Sequence, residues 1–562
     1  MGKIDLKVVR ESWGLFDAKE KRNIAIYIVG IMLYKFGLEA FNGSITALAT
    51  NRYDQDARLA GTTPRTFERI GLLQGLNQAF QCVGSILIAP LIKRYPTRLV
   101  LSVAILVFGL FTAILLIVDA ATGGKIKPND WEETHTAAEL RTDFSYFGNY
   151  NTDGIIPIYC VTGIAYGMVE LIRRVIPRDI VGGNVQKLRR MDATVHIFYE
   201  VAGTAGAFAT ALGLIPALGY NYSFLITPIF FTAASIVWFF ISNYGFVKTP
   251  HLRDAQGNRN YFKSIWHSIV LFFESIYTGG VLVFTNRKFI WLLPGYAFAL
   301  YGHRYLENGI APFVARRYLG VSAWSQIMVG GSNFGELLGA LFVFLFTNLV
   351  ARPMPWLRLD ALLLLIVWYL PYYTPPQSEV RYAWIVAATF IPISFGWAAG
   401  DVSLAAYIQA SLARTESKMK NVSALGAVMA FLYSTYIVIY AIANPLLGRY
   451  LDRQSALQAA GQDGAIQDGV RSVAGIQFTI LAAIVIASTF IPKGAISFNP
   501  KMISDELLDS DIGDDKADLK DISSGEEILD SEKGGLAPEP DHEKRTSITL
   551  GLEDAVRRTS VA

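Results

Sequence analysis

The chain has 562 residues, 52% of them hydrophobic and only 17% charged, where a soluble domain carries about 25% charge. Mean hydropathy is +0.34, and the apolar residues gather in blocks of roughly 20, the length that crosses about 30 Å of hydrocarbon. These figures argue against a secreted, cytosolic or nucleic-acid-binding protein and for a polytopic membrane protein. The net charge of +3 conceals two regions: Lys493–Ala562 holds 17 acidic and 9 basic residues, net −8, which leaves +11 on the rest. Cys82 and Cys160 both lie in apolar blocks, so there is neither a disulfide framework nor a Cys-based zinc site.

In chain order, a polar N-terminus (1–22) precedes an apolar block too long for a signal-peptide core, which is expected to remain as a spanning helix. Twelve spans are predicted: Asn23–Ala49, Ile70–Ile92, Leu99–Asp119, Ile155–Ile176, Ala193–Ala217, Tyr222–Phe246, Phe289–Val314, Trp324–Val350, Leu359–Tyr373, Tyr382–Ile408, Ala424–Leu447 and Val470–Pro492. Six make an N-terminal half (23–247) and six a C-terminal half (289–492), joined by a loop at 248–288 and followed by an acidic tail at 493–562. With the N-terminus in the cytoplasm, the cytoplasmic segments before the tail hold 26 Lys and Arg, about twice as many as the outer segments, which puts both termini inside. The exception is the outer loop Asn51–Arg69, with four arginines.

Within the central loop, Phe262, Ile265, Trp266, Ile269, Phe272, Phe273 and Ile276 recur at helical spacing, with Lys263, His267 and Glu274 off that stripe. This predicts an amphipathic helix lying flat at the cytoplasmic interface; a thirteenth span is the alternative. The tail is too polar to fold alone. Two cassettes near its end, Lys544-Arg545-Thr546-Ser547 and Arg557-Arg558-Thr559-Ser560, place basic residues before Ser/Thr, the pattern read by basophilic kinases. A kinase acting on Ser547 and Ser560 is the partner this implies.

The two halves repeat weakly. Helix 1 contains Tyr34-Lys35-Phe36-Gly37-Leu38-Glu39-Ala40-Phe41-Asn42-Gly43, and helix 7 contains Tyr301-Gly302-His303-Arg304-Tyr305-Leu306-Glu307-Asn308-Gly309. Each has a cation, then Glu, then Asn-Gly, just beyond mid-helix. Helix 2 carries Gln74 and Asn77, and helix 8 carries Asn333 and Glu336. The chain here resembles the major facilitator superfamily over about residues 20–492. After helix 2 that family has Gly-x-Leu-x-Asp-Arg-x-Gly-Arg-Lys; this chain has Ala89-Pro90-Leu91-Ile92-Lys93-Arg94-Tyr95-Pro96-Thr97-Arg98. Lys93 replaces the family's Asp, which helps latch the cytoplasmic gate, and Pro96 its second Gly. The run Arg173-Arg174-Val175-Ile176-Pro177 is similar to exporter-type members, of the fungal kind, and Gly203, Gly206 and Gly213 on one face of helix 5 are similar to the antiporter glycine motif. The resemblance implies an all-α membrane protein of twelve transmembrane helices in two pseudo-symmetric six-helix halves, working by alternating access in the plasma or vacuolar membrane.

An ionisable group inside a spanning helix costs about 2.5–3.5 kcal/mol, so each one kept needs a partner or a watery cavity. Lys35, Glu39 and Asn42 share one face of helix 1, Arg304, Glu307 and Asn308 share one of helix 7, and His196 and Glu200 stand at i, i+4 in helix 5. With Gln74, Asn77, His303, Asn333 and Glu336 they form the candidate substrate and proton cavity. Glu39 and Glu307 are the candidate proton carriers, and Tyr433, Tyr436 and Tyr440 an aromatic wall. Lys93, Arg94, Arg98, Glu170, Arg173, Arg174 and Asp401 form the candidate cytoplasmic gate. His303, Glu307 and Glu39 could share a divalent cation, but Lys35 and Arg304 would repel it. No phosphate-cradling Gly-rich loop and no nucleophile–base set is present, so neither an enzyme nor a cofactor is expected. The reading is a secondary transporter of a small organic solute, proton-coupled and bathed in lipid. The alternatives are a non-transporting receptor on the same scaffold and a divalent-cation transporter.

Overall fold

The computed structural model describes residues 13–136, 138–181, 185–242, 261–345, 353–413 and 424–492. Among these residues the ordered secondary structure is entirely helical. Thirteen long segments follow one another: α1 (Ala18–Leu59), α2 (Thr66–Arg94), α3 (Thr97–Ala121), α4 (Ile155–Val181), α5 (185–218), α6 (Ile226–Phe239), α7 (Tyr261–Thr285), α8 (293–318), α9 (Ser325–Leu345), α10 (Pro353–Tyr372), α11 (Val380–Ala413), α12 (Ala424–Ala459) and α13 (Ala465–Ser488). All but α7 coincide with the twelve expected spans, so expected helix 7 is α8 and each later one is likewise displaced by one. Ten of the helices, α7 included, are long and apolar enough to cross a membrane, and the protein is an integral multi-pass membrane protein. The face at which α1 begins and α13 ends is termed inner, its opposite outer. Ser547, Ser560 and the rest of the tail lie outside the described residues, as do the side chains of Lys93 and Arg174.

Helix ends differ from expectation for local reasons. α1 starts on a capping box in which Asp17 accepts from Glu20 N and Glu20 accepts from Asp17 N. It runs to Leu59, ten residues past the expected end at Ala49, and so carries Arg52 and Asp54 on a helix rather than in a loop. α6 is shorter than Tyr222–Phe246, because Ser223–Leu225 form a 3-10 turn before it. α8 is interrupted by π turns at Leu293–Phe298, Leu306–Ile310 and Val314–Tyr318.

Each half has its own core. In the N-terminal half Ile31, Leu38, Phe108, Ile172 and Trp238 pack together, and in the C-terminal half Tyr305, Val367, Phe390 and Phe478 do so. Large apolar side chains also stand exposed on outward helix faces, among them Leu110, Ile236 and Ile442, as hydrocarbon surroundings permit. The pairs α2–α4 and α9–α11 are equivalent, and the same device closes both. A Cβ on Gly163 or Gly167 would lie 2.7 or 2.0 Å from the carbonyl oxygens of Asn77 or Gln81. On Gly331, Gly335 or Gly339 it would lie 2.5, 2.3 or 2.5 Å from those of Ala387, Ile391 or Phe395. Only glycine lets the two backbones approach this closely.

α7 packs through small residues. Ser264 accepts a hydrogen bond from Arg94 at 3.0 Å, Tyr261 donates to Leu87 O, and a Cβ on Gly279 would lie 1.9 Å from Ala427 O. Its anchors are therefore the inner end of α2 and the inner start of α12, one in each half. Phe262, Trp266, Val270, Phe273, Tyr277, Val281 and Phe284 form an exposed stripe on its far side. Large side chains outward and small ones inward are the arrangement of a helix that meets lipid.

Candidate functional site

Two ion pairs with buried carboxylates face the seam between the halves. On α1, Lys35 Nζ lies 2.5 Å from Glu39 Oε1, with both side chains about nine-tenths buried. Lys35 fits there because α5 has glycine opposite it: a Cβ on Gly203 would meet Lys35 Cε at 2.5 Å. One on Gly206 would meet Phe36 O at 2.9 Å and Glu39 Cβ at 3.1 Å. On α8, Arg304 Nη1 donates to Glu307 Oε2 at 2.8 Å. Glu307 Oε1 accepts from Ser332 Oγ of α9 at 2.6 Å, and Ser332 in turn bonds Ser394 of α11 at 2.7 Å. Glu307 is 6% exposed and Arg304 41%, so the space beside Arg304 admits water deep within the bundle.

The cation side of the first pair continues toward the inner face. Lys35 Nζ and Arg173 Cζ each lie 4.5 Å from the centre of the Tyr199 ring. Arg173 Nη2 is 2.5 Å from Glu170 Oε2, and Tyr34 donates to Glu170 Oε1 at 2.9 Å. Glu170 and Arg173, predicted at the gate, thus form one buried cluster with α1 and α5. Arg98 donates to Ile241 O at 2.6 Å and Thr97 to Asp179 Oδ2 at 2.5 Å. Thr97 thus ties this turn to Asp179 on α4. His196 lies one turn inward of Glu200 on α5, and Asp401 lies on α11.

Several predicted cavity residues serve packing between neighbouring helices. Asn42 Oδ1 accepts from Tyr159 OH at 2.9 Å, Gln74 donates to Thr46, and Asn77 donates to Tyr159 O and accepts from Gln81. These bonds tie α1, α2 and α4 into one polar seam. His303 turns away from Glu307: its Nε2 lies 2.8 Å from Asp360 Oδ1 on α10, beside the Trp397 ring of α11. Asn308 lines a separate small pocket with Phe67, Gly71, Tyr305 and Asn444. Tyr433, Tyr436 and Tyr440 stack in series at 5.6 and 5.8 Å, and Tyr440 meets Tyr301 of α8.

The outer side is sealed by residues that local sequence reading missed. Asp54 of α1 accepts from Arg316 Nε at 2.7 Å and from both Arg317 terminal nitrogens at 2.8 and 2.9 Å, joining the halves. Thr66 of α2 donates to the same carboxylate at 2.5 Å. Asp452 of α12 accepts from the backbone N–H groups of Phe67 and Glu68, capping α2 from the other half. Phe67 and Phe313 rings meet at 4.8 Å, and Ser322 donates to Asn51 at 3.0 Å. The four outer arginines are all engaged: Arg52 with Gly148 O and Tyr150 O, Arg58 with Thr142 O, Arg65 with Glu68, Arg69 with Asp153. Arg316 also donates to Arg141 O, so the loop after α3 joins the seal. In that loop the Thr136 backbone N–H and hydroxyl hold the Glu139 carboxyl below its ordinary range. The pairing of Asp54 was foreshadowed only by the surplus of arginines on this side.

Compared by sequence, the chain matches no protein-family model and no curated relative. Compared by structure, it is similar to a D-xylose–proton symporter at a TM-score of 0.53 and 12% identity, covering 85% of this chain and 98% of that one. It is also similar to a peptide transporter solved with sulfate, at 0.52 and 12% identity, covering 83% and 94%. A structure concerned with proton-dependent oligopeptide transporters aligns at 0.50 and 13%, covering 85% and 98%. Two equivalent six-helix halves, closed against each other on the outer side around buried charges, give this chain the same all-α fold as those transporters.

Proposed function

We propose that the chain is a secondary transporter that moves a small organic solute by alternating access, coupled to protons at Glu39 and Glu307, with its inner face in the cytoplasm. The observation that carries this reading is the pair of buried Glu–cation bonds, Lys35–Glu39 and Arg304–Glu307, at equivalent positions of the two halves. A carboxylate so placed is held by its cation in one state and takes a proton when rocking of the halves changes what faces it. The D-xylose–proton symporter and the proton-dependent oligopeptide transporters support proton coupling as a use of this fold. In this structure the seal of Asp54, Arg316 and Arg317 lies on the outer side of both pairs. Opening outward requires that seal to break. The test is a solute screen in proteoliposomes under an imposed pH gradient. Glu39→Gln and Glu307→Gln keep the side-chain shape; each is expected to abolish gradient-driven accumulation while leaving solute exchange. Full accumulation in both variants would move the coupling elsewhere.

A further inference from the structure

The central charges do not balance. Glu39, Glu200, Glu307 and Glu336 stand against Lys35 and Arg304, and those two cations are already taken by Glu39 and Glu307. Among the described residues no ion pair within 4.0 Å reaches Glu200 or Glu336. Two carboxylates are therefore in surplus in a setting where an uncompensated charge is expensive.

Their position is fixed by the crossing of α5 and α9. A Cβ on Gly203 would lie 3.2 Å from Asn333 Nδ2. Glu200 is one turn inward of Gly203, and Glu336 is one turn inward of Asn333 on the antiparallel helix. The two carboxylates thus sit at one level, one on each half. Above them a Cβ on Gly330 would lie 2.4 Å from the Phe208 ring, so the crossing is shut on the outer side.

The same place holds unmet hydrogen bonds. Glu200 is 2% exposed and its Oε2 has no hydrogen-bond partner; Asn333 is 4% exposed and its Nδ2 has none. Buried polar groups normally find partners. A carboxyl group with an unmet acceptor and an idle amide donor, side by side at the seam, complement a ligand that carries a cation and a neutral acceptor. Tyr199, the residue before Glu200, already holds two cations against its ring.

We propose that Glu200 and Glu336, with Asn333, form the subsite for the cationic group of a small organic solute, an amine or quaternary ammonium that also bears a hydroxyl or carbonyl. This rests on reading the cavity as a transport site. The carboxylates bind the cation from both halves at once, and Asn333 donates to the solute's oxygen.

The test compares cations with neutral molecules of the same shape: choline against 3,3-dimethylbutan-1-ol, and ethanolamine against ethylene glycol. Binding is measured by calorimetry on the full chain in lipid nanodiscs. At least one cation is expected to bind at least about tenfold tighter than its neutral partner. The double variant Glu200→Gln/Glu336→Gln should erase that preference, while Asn333→Ala should weaken both members of a pair alike. Thermal melting of each variant shows whether it is folded. The proposal is overturned if no cation exceeds its neutral partner, or if the preference survives in the double Gln variant. Accumulation of only neutral or anionic solutes in proteoliposomes would overturn it while leaving the transporter reading in place. Charge-selective binding with no solute crossing the membrane would uphold the subsite and remove the transporter reading.

Discussion

Replacing Asp54 with Asn should release the outer seal. The carboxylate accepts three hydrogen bonds from Arg316 and Arg317 and one from Thr66, with side-chain exposures of 10% for Asp54, 11% for Arg316 and 16% for Arg317. An Asn turns one of the two oxygens into a donor that faces donors, and it leaves two guanidinium groups without their charge partner. Breaking a fully buried pair costs roughly 3–5 kcal/mol. Water reaches the arginines in part, so about 2–3 kcal/mol is the loss to expect here. Because the bonds join α1 to α8, that loss falls on the outer-closed arrangement alone. The balance should move toward an outer-open state by about 30- to 150-fold. Spin labels at Leu59 and Tyr372, exposed at 76% and 68% on the outer ends of α1 and α10, report it once Cys82 and Cys160 are replaced. The native chain should give one short distance, and Asp54→Asn a second, longer population. Coincident distance distributions in a folded Asp54→Asn protein would show that the ion pairs do not hold the seal.

Two further outcomes follow, one from a buried contact and one from an exposed helix face. His303 and Asp360, 5% and 1% exposed, form a bond away from the central seam; His303→Ala strands the acid and should cost about 3–5 kcal/mol of stability. The double change His303→Leu/Asp360→Leu should cost less in thermal or denaturant melts, and a larger loss would contradict a simple buried pair. For α7, the Trp266 contribution to fluorescence, obtained by difference from Trp266→Phe, should be quenched more by lipids brominated near the headgroup than at the chain end. Equal protection from both would place that exposed face against protein.

Membrane character and the run of twelve spans could be read from the sequence because hydrocarbon leaves a backbone few options. Each span must satisfy its own hydrogen bonds, so apolar length alone announces a helix. The pairs Lys35–Glu39 and Arg304–Glu307 were readable for the same local reason: three- and four-residue spacing brings side chains together whatever the tertiary fold. His303 shows where that rule ends, since its ring is engaged by the Asp360 carboxylate on α10. The seal at Asp54 depends on arginines 262 and 263 positions away, and on α1 running ten residues past the end of its apolar block. The level meeting of Glu200 with Glu336 depends on Gly203 and Gly330 letting α5 and α9 cross closely. Local spacing decides which charges share a helix face. Only the packing of one half on the other decides which of those charges are left without a partner, because compensation between halves is a matter of distance in space.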